Sequence, residues 1–333
     1  MGNKSGNAHV LRFKMSTHAI ERPLLRQSRK ATGVALLAAY MSLYGATLYA
    51  MVRFGRFDPS DALGVFAILG VGFSLAAWLL TIGVKPLSYR VSNPPRETKI
   101  LLAYLLPLAA FITFGFSAIH RWVPGEPADS TAILVAKLVV FVVIPACLLI
   151  TSFRYKLDEL APMSTKTSHM LVFVGMSLVL LVFQSVAGRG MQDIAEAHVP
   201  GEKLLFGMPL VFLWLVLDVG VVEEFFFRVL LQSRLSAALR SELGGIVVMS
   251  LVFGLVHAPG LYLRSSATQE RLAAHPSLLM AIGYSIVITS VAGFFLGVLW
   301  ARTRNFLVLI LVHAATDLLP NTIPTLRAFH LLK

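Results

Sequence analysis

Stretches of about 15–23 mostly apolar residues recur along the whole 333-residue chain, and this repetition limits its folds more than any other feature. One helix needs about 20 such residues to cross a bilayer. Nine stretches are readable, at about 32–52, 62–84, 100–119, 131–153, 169–187, 204–232, 244–263, 278–300 and 305–319. Turn and charge signals such as RFGRFDPSD, SNPPRET, WVPGEPADS and RTRN separate them. The sixth is long enough to protrude or tilt, and the ninth is read as ending before Pro320. Charged residues are only 14% of the chain and hydrophobic ones 56%, so a water-soluble globule could not cover its surface. The expected fold is all-α: a polytopic membrane bundle of about eight to nine transmembrane helices.

The net charge of +12 would suggest nucleic acid in a soluble protein, but here it orients the chain in lipid. The tail before the first span and the alternate loops on its side hold eighteen of the 29 Lys and Arg residues, against nine on the opposite side. The N-terminus is therefore expected in the cytoplasm of a cell with a multi-pass protein in its membrane, and no nucleic-acid partner is expected. The tail lacks a small-x-small cleavage site and reads as a solvated basic segment lying against anionic lipid. A single cysteine, Cys147, excludes an intrachain disulfide and a multi-cysteine metal cage. RYKLDELAPMSTKTS, at 154–168, is the longest polar stretch between spans. The chain divides there into a tail (1–31), a four-helix region (32–160), a five-helix region (165–320) and a short C-terminal tail (321–333).

Ionisable residues inside the spans cost about 2.5–3.5 kcal/mol each on insertion scales, so each requires a reason. The first half carries only Lys137, whose stem is read as snorkelling to the outer interface. The second half carries Asp218, Glu223, Glu224 and Arg228 on the sixth span, His257 on the seventh, and His313 and Asp317 on the ninth. At about 1.5 Å per residue, Glu223, His257 and His313 fall within about two helical turns of one depth. Glu224 and Arg228 are i,i+4 with the acid first, the favourable order for an ion pair. Glu223 is turned about 100° away from Glu224 and is freer of that arginine. His313 and Asp317 are also i,i+4, and Phe253, one turn before His257, can wall a pocket. A free glutamate, two histidines and a further carboxylate suit hydrolysis by an activated water. The same groups, Glu223, His257 and His313, also suit a catalytic Zn2+, so the sequence allows either no cofactor or zinc.

EEFFFR (Glu223 to Arg228), FGLVH (Phe253 to His257) and HAATD (His313 to Asp317) resemble the three signature motifs of the CPBP family. That family comprises CAAX prenyl endopeptidases and bacteriocin-processing or self-immunity membrane proteins. The likeness covers about residues 165–320 and leaves the first four helices unmatched. It implies an intramembrane endopeptidase, opening toward the cytoplasmic side, that acts on a membrane-associated or lipidated protein or peptide. Glu223 would be the base, with His257 on the attacking water. His313 and Asp317 would bind the oxyanion or a metal, and Glu224, Arg228 and Phe253 would support them. The family includes proteins described as metalloproteases and as metal-independent glutamate proteases. Asp317 stands where the eukaryotic CAAX enzymes have Asn, which favours a prokaryotic inner-membrane relative and weighs against prenylated CAAX substrates.

Other polar residues have plainer readings. Asp218, about 140° round an α-helix from Glu223, reads as a lid or as a partner for another helix's polar group. Gln184 reads as an interhelical hydrogen bond, and Gly293 and Gly297 as a close-packing face. His169, His198, His275 and His330 are expected in solvent. Two other functions fit the buried polar set. One is a non-catalytic binding or immunity protein; the other is a proton-coupled transporter, against which stands the absence of repeats and of broken helices in matching positions.

Overall fold

The computed structural model describes residues 8–55, 57–263, 272 and 276–332, with side chains from Lys30 onward. Among them are nine helices long and apolar enough to cross a membrane: α1 Lys30–Gly55, α2 Pro59–Leu80, α3 Pro94–Trp122, α4 Ala128–Phe153, α5 Thr167–Ala187, α6 Gly201–Ala238, α7 Glu242–Leu263, α8 Leu278–Thr303 and α9 Phe306–Ala328. The protein is an all-helical, multi-pass membrane bundle. The helix containing α1 begins at Ala8, so the backbone of the basic tail continues directly into the first span.

Burial identifies the centre of the bundle. The most apolar stretches of α8 and α9 are each 67% buried inside the protein, against 11% for α2 and 17% for α1. Outer helices accordingly expose large apolar side chains such as Leu106, Phe114 and Val186, as lipid-facing surfaces do. The central helices approach closely where a side chain is missing. A Cβ on Gly254 of α7 would collide with the Ser285 carbonyl and with Ser290 of α8, and one on Gly293 would press on the Ser250 backbone. Gly297, with Gly293, completes the expected small-residue face, and its carbonyl accepts a 2.9 Å bond from Gln232 Nε2 of α6. Gly220 of α6 meets the Ile310 carbonyl of α9 in the same way. These contacts tie α7 and α6 to α8, and α6 to α9.

The ninth helix does not stop before Pro320. It runs on through Pro320 and Pro324 to Ala328. Proline removes the bond that its N–H would make to the carbonyl four residues back, here Thr316. Gln184 Nε2 of α5 donates to that carbonyl at 2.8 Å, and also to the Ala315 carbonyl at 3.3 Å. The expected interhelical bond of Gln184 thus replaces the donor that proline lacks.

The α8–α9 turn is fixed from several sides. Arg304, in the left-handed region at φ 49°, donates to both carboxylate oxygens of Glu242 at 2.6 Å and lies over the Tyr89 ring. Asn305 caps α9 through Leu307 N and exchanges hydrogen bonds with the Ser164 backbone in the α4–α5 connection. Near the C-terminal end of α6, Arg234 donates to buried Glu97 of α3 at 3.0 Å, and Tyr155 donates to the same carboxylate. His198 and His330 are exposed as expected, but His169 is 2% exposed: it lies within α5 and faces the bundle. His275 lies outside the described residues.

Candidate active site

The middle of α6 departs from α-helical geometry. Val216–Val221 and Phe225–Gln232 form π turns on either side of Val222–Glu224. Hydrogen bonds in such turns join residues five apart, and interruptions of this kind occur frequently at functional sites. A π turn therefore brings positions i and i+5 close to one face. This alters the placement of Asp218 relative to Glu223, which an unbroken α-helix would set about 140° apart.

Two neighbouring glutamates have separate surroundings. Glu224 is fully buried, and its Oε1 accepts from Arg228 at 3.0 Å and from His313 Nδ1 at 2.7 Å. The guanidinium of Arg228, 1% exposed, lies 4.1 Å from the centre of the Phe253 ring. A carboxylate only accepts, so Nδ1 of His313 carries the proton. Its Nε2 faces Asp317 Oδ2 at 3.7 Å, beyond hydrogen-bonding distance. Glu224 thereby joins α6 to α9, while Arg228 and Phe253 join α6 to α7. The i,i+4 pairing expected for Glu224 and Arg228 is present; its bond to His313 required the tertiary structure.

Glu223 faces elsewhere. It lines a cavity of about 350 Å3, within the range typical of small-molecule and peptide sites. His257 and Val256 of α7 share this wall with Phe227 of α6, Phe116 of α3, Phe141 of α4 and Thr289 of α8. Nδ1 of His257 lies 2.7 Å from the Phe253 carbonyl, which requires a donor, so in the neutral ring Nε2 is the acceptor. The Phe253 ring packs 4.8 Å from the imidazole, centre to centre. Phe253 therefore contacts both halves of the site, backing His257 and covering Arg228.

The structure gathers only part of the expected set around the cavity. Glu223 and His257 line it, whereas His313 and Asp317 do not. Among the described residues no three His, Cys, Asp or Glu side chains converge as a metal site, so Glu223, His257 and His313 are not gathered as zinc ligands. His313 donates from Nδ1 to Glu224, and its Nε2 is turned toward Asp317. As placed, the described side chains do not converge into a three-ligand metal centre, although the residue types would suit one.

Lys137 also departs from expectation. Helix α4 begins at Ala128, which puts Lys137 roughly 14 Å along it, too deep for easy snorkelling. Its Nζ instead donates to Asp218 Oδ1 at 2.7 Å and lines the Glu223 cavity. Asp218 is thus the partner for another helix's polar group, and that helix is α4. The signal was present in the sequence as two unexplained opposite charges inside spans. Two of the N-terminal helices, unmatched by the motifs, also supply cavity wall: α3 through Ile112 and Phe116, and α4 through Lys137 and Phe141.

Residues 205–319 match the family model of the type II CAAX prenyl endopeptidases, Rce1-like. The matched stretch runs from α6 to α9 and contains Glu223, Glu224, Arg228, Phe253, His257, His313 and Asp317. It is consistent with the CPBP resemblance of the three motifs. No curated protein and no solved structure matches the chain.

Proposed function

We propose that this multi-pass membrane protein, whose residues 205–319 match a protease family, is an endopeptidase that cleaves a membrane-associated protein or peptide within the bilayer. The observation that carries the reading is the pairing of Glu223 and His257, from two helices, on one cavity wall beside the sealed Glu224–Arg228–His313 network.

The reaction follows from the two proton inventories. Water is held between the Glu223 carboxylate and Nε2 of His257, the imidazole nitrogen left as acceptor by the bond at Nδ1. Glu223 takes a proton as the water oxygen attacks the scissile carbonyl carbon. It returns that proton to the departing nitrogen when the tetrahedral intermediate collapses. Glu224 takes no proton in this scheme, because Arg228 and His313 engage it; it holds α6 and α9 in register. His313 and Asp317 do not line the cavity and take no part in this scheme. No step passes through a metal.

The excess of basic residues on the N-terminal side favours a cytoplasmic N-terminus, with the site reached from that side or laterally from lipid. The cavity wall is largely apolar, which suits an apolar or lipidated segment. A prokaryotic inner membrane is the location we favour.

The test is a comparison of membrane peptides from cells expressing wild-type protein and Glu223→Gln. Glutamine fills the same volume but cannot take the proton, so cleavage should fall by at least about 10²-fold while the protein inserts and accumulates normally. Identical peptide profiles in the two strains would refute the hydrolase.

A further inference from the structure

We propose that Lys137 is a catalytic residue of this site, donating to the oxygen that becomes negative in the tetrahedral intermediate. The inference rests on the hydrolase reading above and names a part that reading lacks. Attack by water forms a C–O bond and moves the carbonyl π pair onto oxygen. The proton goes to Glu223, and later to the leaving nitrogen as the C–N bond breaks. The base is itself an anion before it takes the proton, so the oxyanion needs a donor of opposite charge in a site with little water.

The residues expected to serve were His313 and Asp317. His313 commits Nδ1 to Glu224, neither residue lines the cavity, and Asp317 is a carboxylate. Among the described lining residues the polar side chains are Glu223, His257, Thr289 and Lys137, and Lys137 is the cation. Its ammonium has three N–H groups: Asp218 Oδ1 takes one at 2.7 Å and the Asp218 carbonyl a longer one at 3.5 Å, which leaves a third. Both side chains of the pair remain 20% exposed, so the head group is not sealed by its partner.

The placement fits the role. Asp218 lies in the π turn Val216–Val221 and precedes Glu223, in the α-helical segment that follows, by five residues. The pair that holds Lys137 is therefore braced on the same helix as the base, about one turn away. An ammonium deep in a span is costly, and Asp218 offsets that cost while leaving one N–H for a substrate.

The test uses purified protein in liposomes and a reporter peptide carrying the cleavage site found in the peptide comparison. Lys137→Met should lower kcat by about 10²–10³-fold with KM little changed, and Lys137→Arg should retain part of the activity. A phosphinate analogue of the scissile bond, which presents a tetrahedral anion, should lose affinity for Lys137→Met by a similar factor. The intact peptide should bind Glu223→Gln and Glu223→Gln/Lys137→Met alike. The double variant Lys137→Met/Asp218→Asn controls for an unpaired aspartate: it should restore thermal stability but leave kcat low. Wild-type kcat in Lys137→Met, or recovery of kcat in the double variant, would overturn the proposal and reduce Lys137 to a counter-ion of Asp218. Failure of the hydrolase reading looks different: Glu223→Gln would then cleave the reporter as wild type does, and this inference would fall with it.

Discussion

Arg228→Met asks whether the charges buried behind the cavity hold the bundle together. Arg228 is 1% exposed and Glu224 0%, and they are joined by one 3.0 Å bond. Methionine matches most of the arginine stem but leaves the Glu224 carboxylate with His313 as its hydrogen-bond partner, and it ends the contact with Phe253. Breaking a buried ion pair from one side costs about 3–5 kcal/mol, because a charge is left in a low dielectric. For a protein of this size that corresponds to a fall in Tm of about 4–7 °C. Adding Glu224→Gln removes the stranded charge and keeps an acceptor for Nδ1 of His313, so Arg228→Met/Glu224→Gln should regain most of the loss. The assay is thermal unfolding of the purified proteins in one detergent, followed by an intrinsic fluorescence probe. Recovery in the double variant is the diagnostic result. If Arg228→Met melted with wild type, or if the double variant were as unstable as the single, the network would not be holding α6 against α7 and α9.

Two further predictions come from other parts of the bundle. Gln184→Leu should cost about 1–3 kcal/mol by stranding the Thr316 carbonyl, and Pro320→Ala should rescue it by restoring the missing N–H; unfolding curves of the two single variants and the double decide this. Cleavage of the reporter peptide should survive prolonged chelation and show no gain on adding zinc, since the described side chains present no three-ligand centre; loss of activity on chelation with recovery on zinc would count against a water activated by Glu223 and His257 alone.

The balance between sequence and structure is clearest at particular residues. Span number, the Glu224–Arg228 pairing and the separation of Glu223 from that pair could be read directly. Each depends on helix length or on spacing within one helix, which 1.5 Å and 100° per residue fix locally. Gln184 was recognised as an interhelical donor, but its acceptor was not, because that required knowing that α9 continues past Pro320. The same gap caused the error at Lys137. Its charge and depth were visible, but its partner lies 81 residues away on α6, and its snorkelling distance depended on where α4 begins.

By itself, then, the sequence determined a helical membrane bundle, and it put the unusual acids and histidines at one depth, since lipid penalises each isolated charge and so makes the few present conspicuous. Only the tertiary structure decided which of them share a surface. The rotation of α6 depends on its π turns and on the close approach at Gly220, neither of which follows from a regular helical period. That rotation sends Glu223 into the cavity with His257 and Lys137, and turns Glu224 inward to Arg228 and His313.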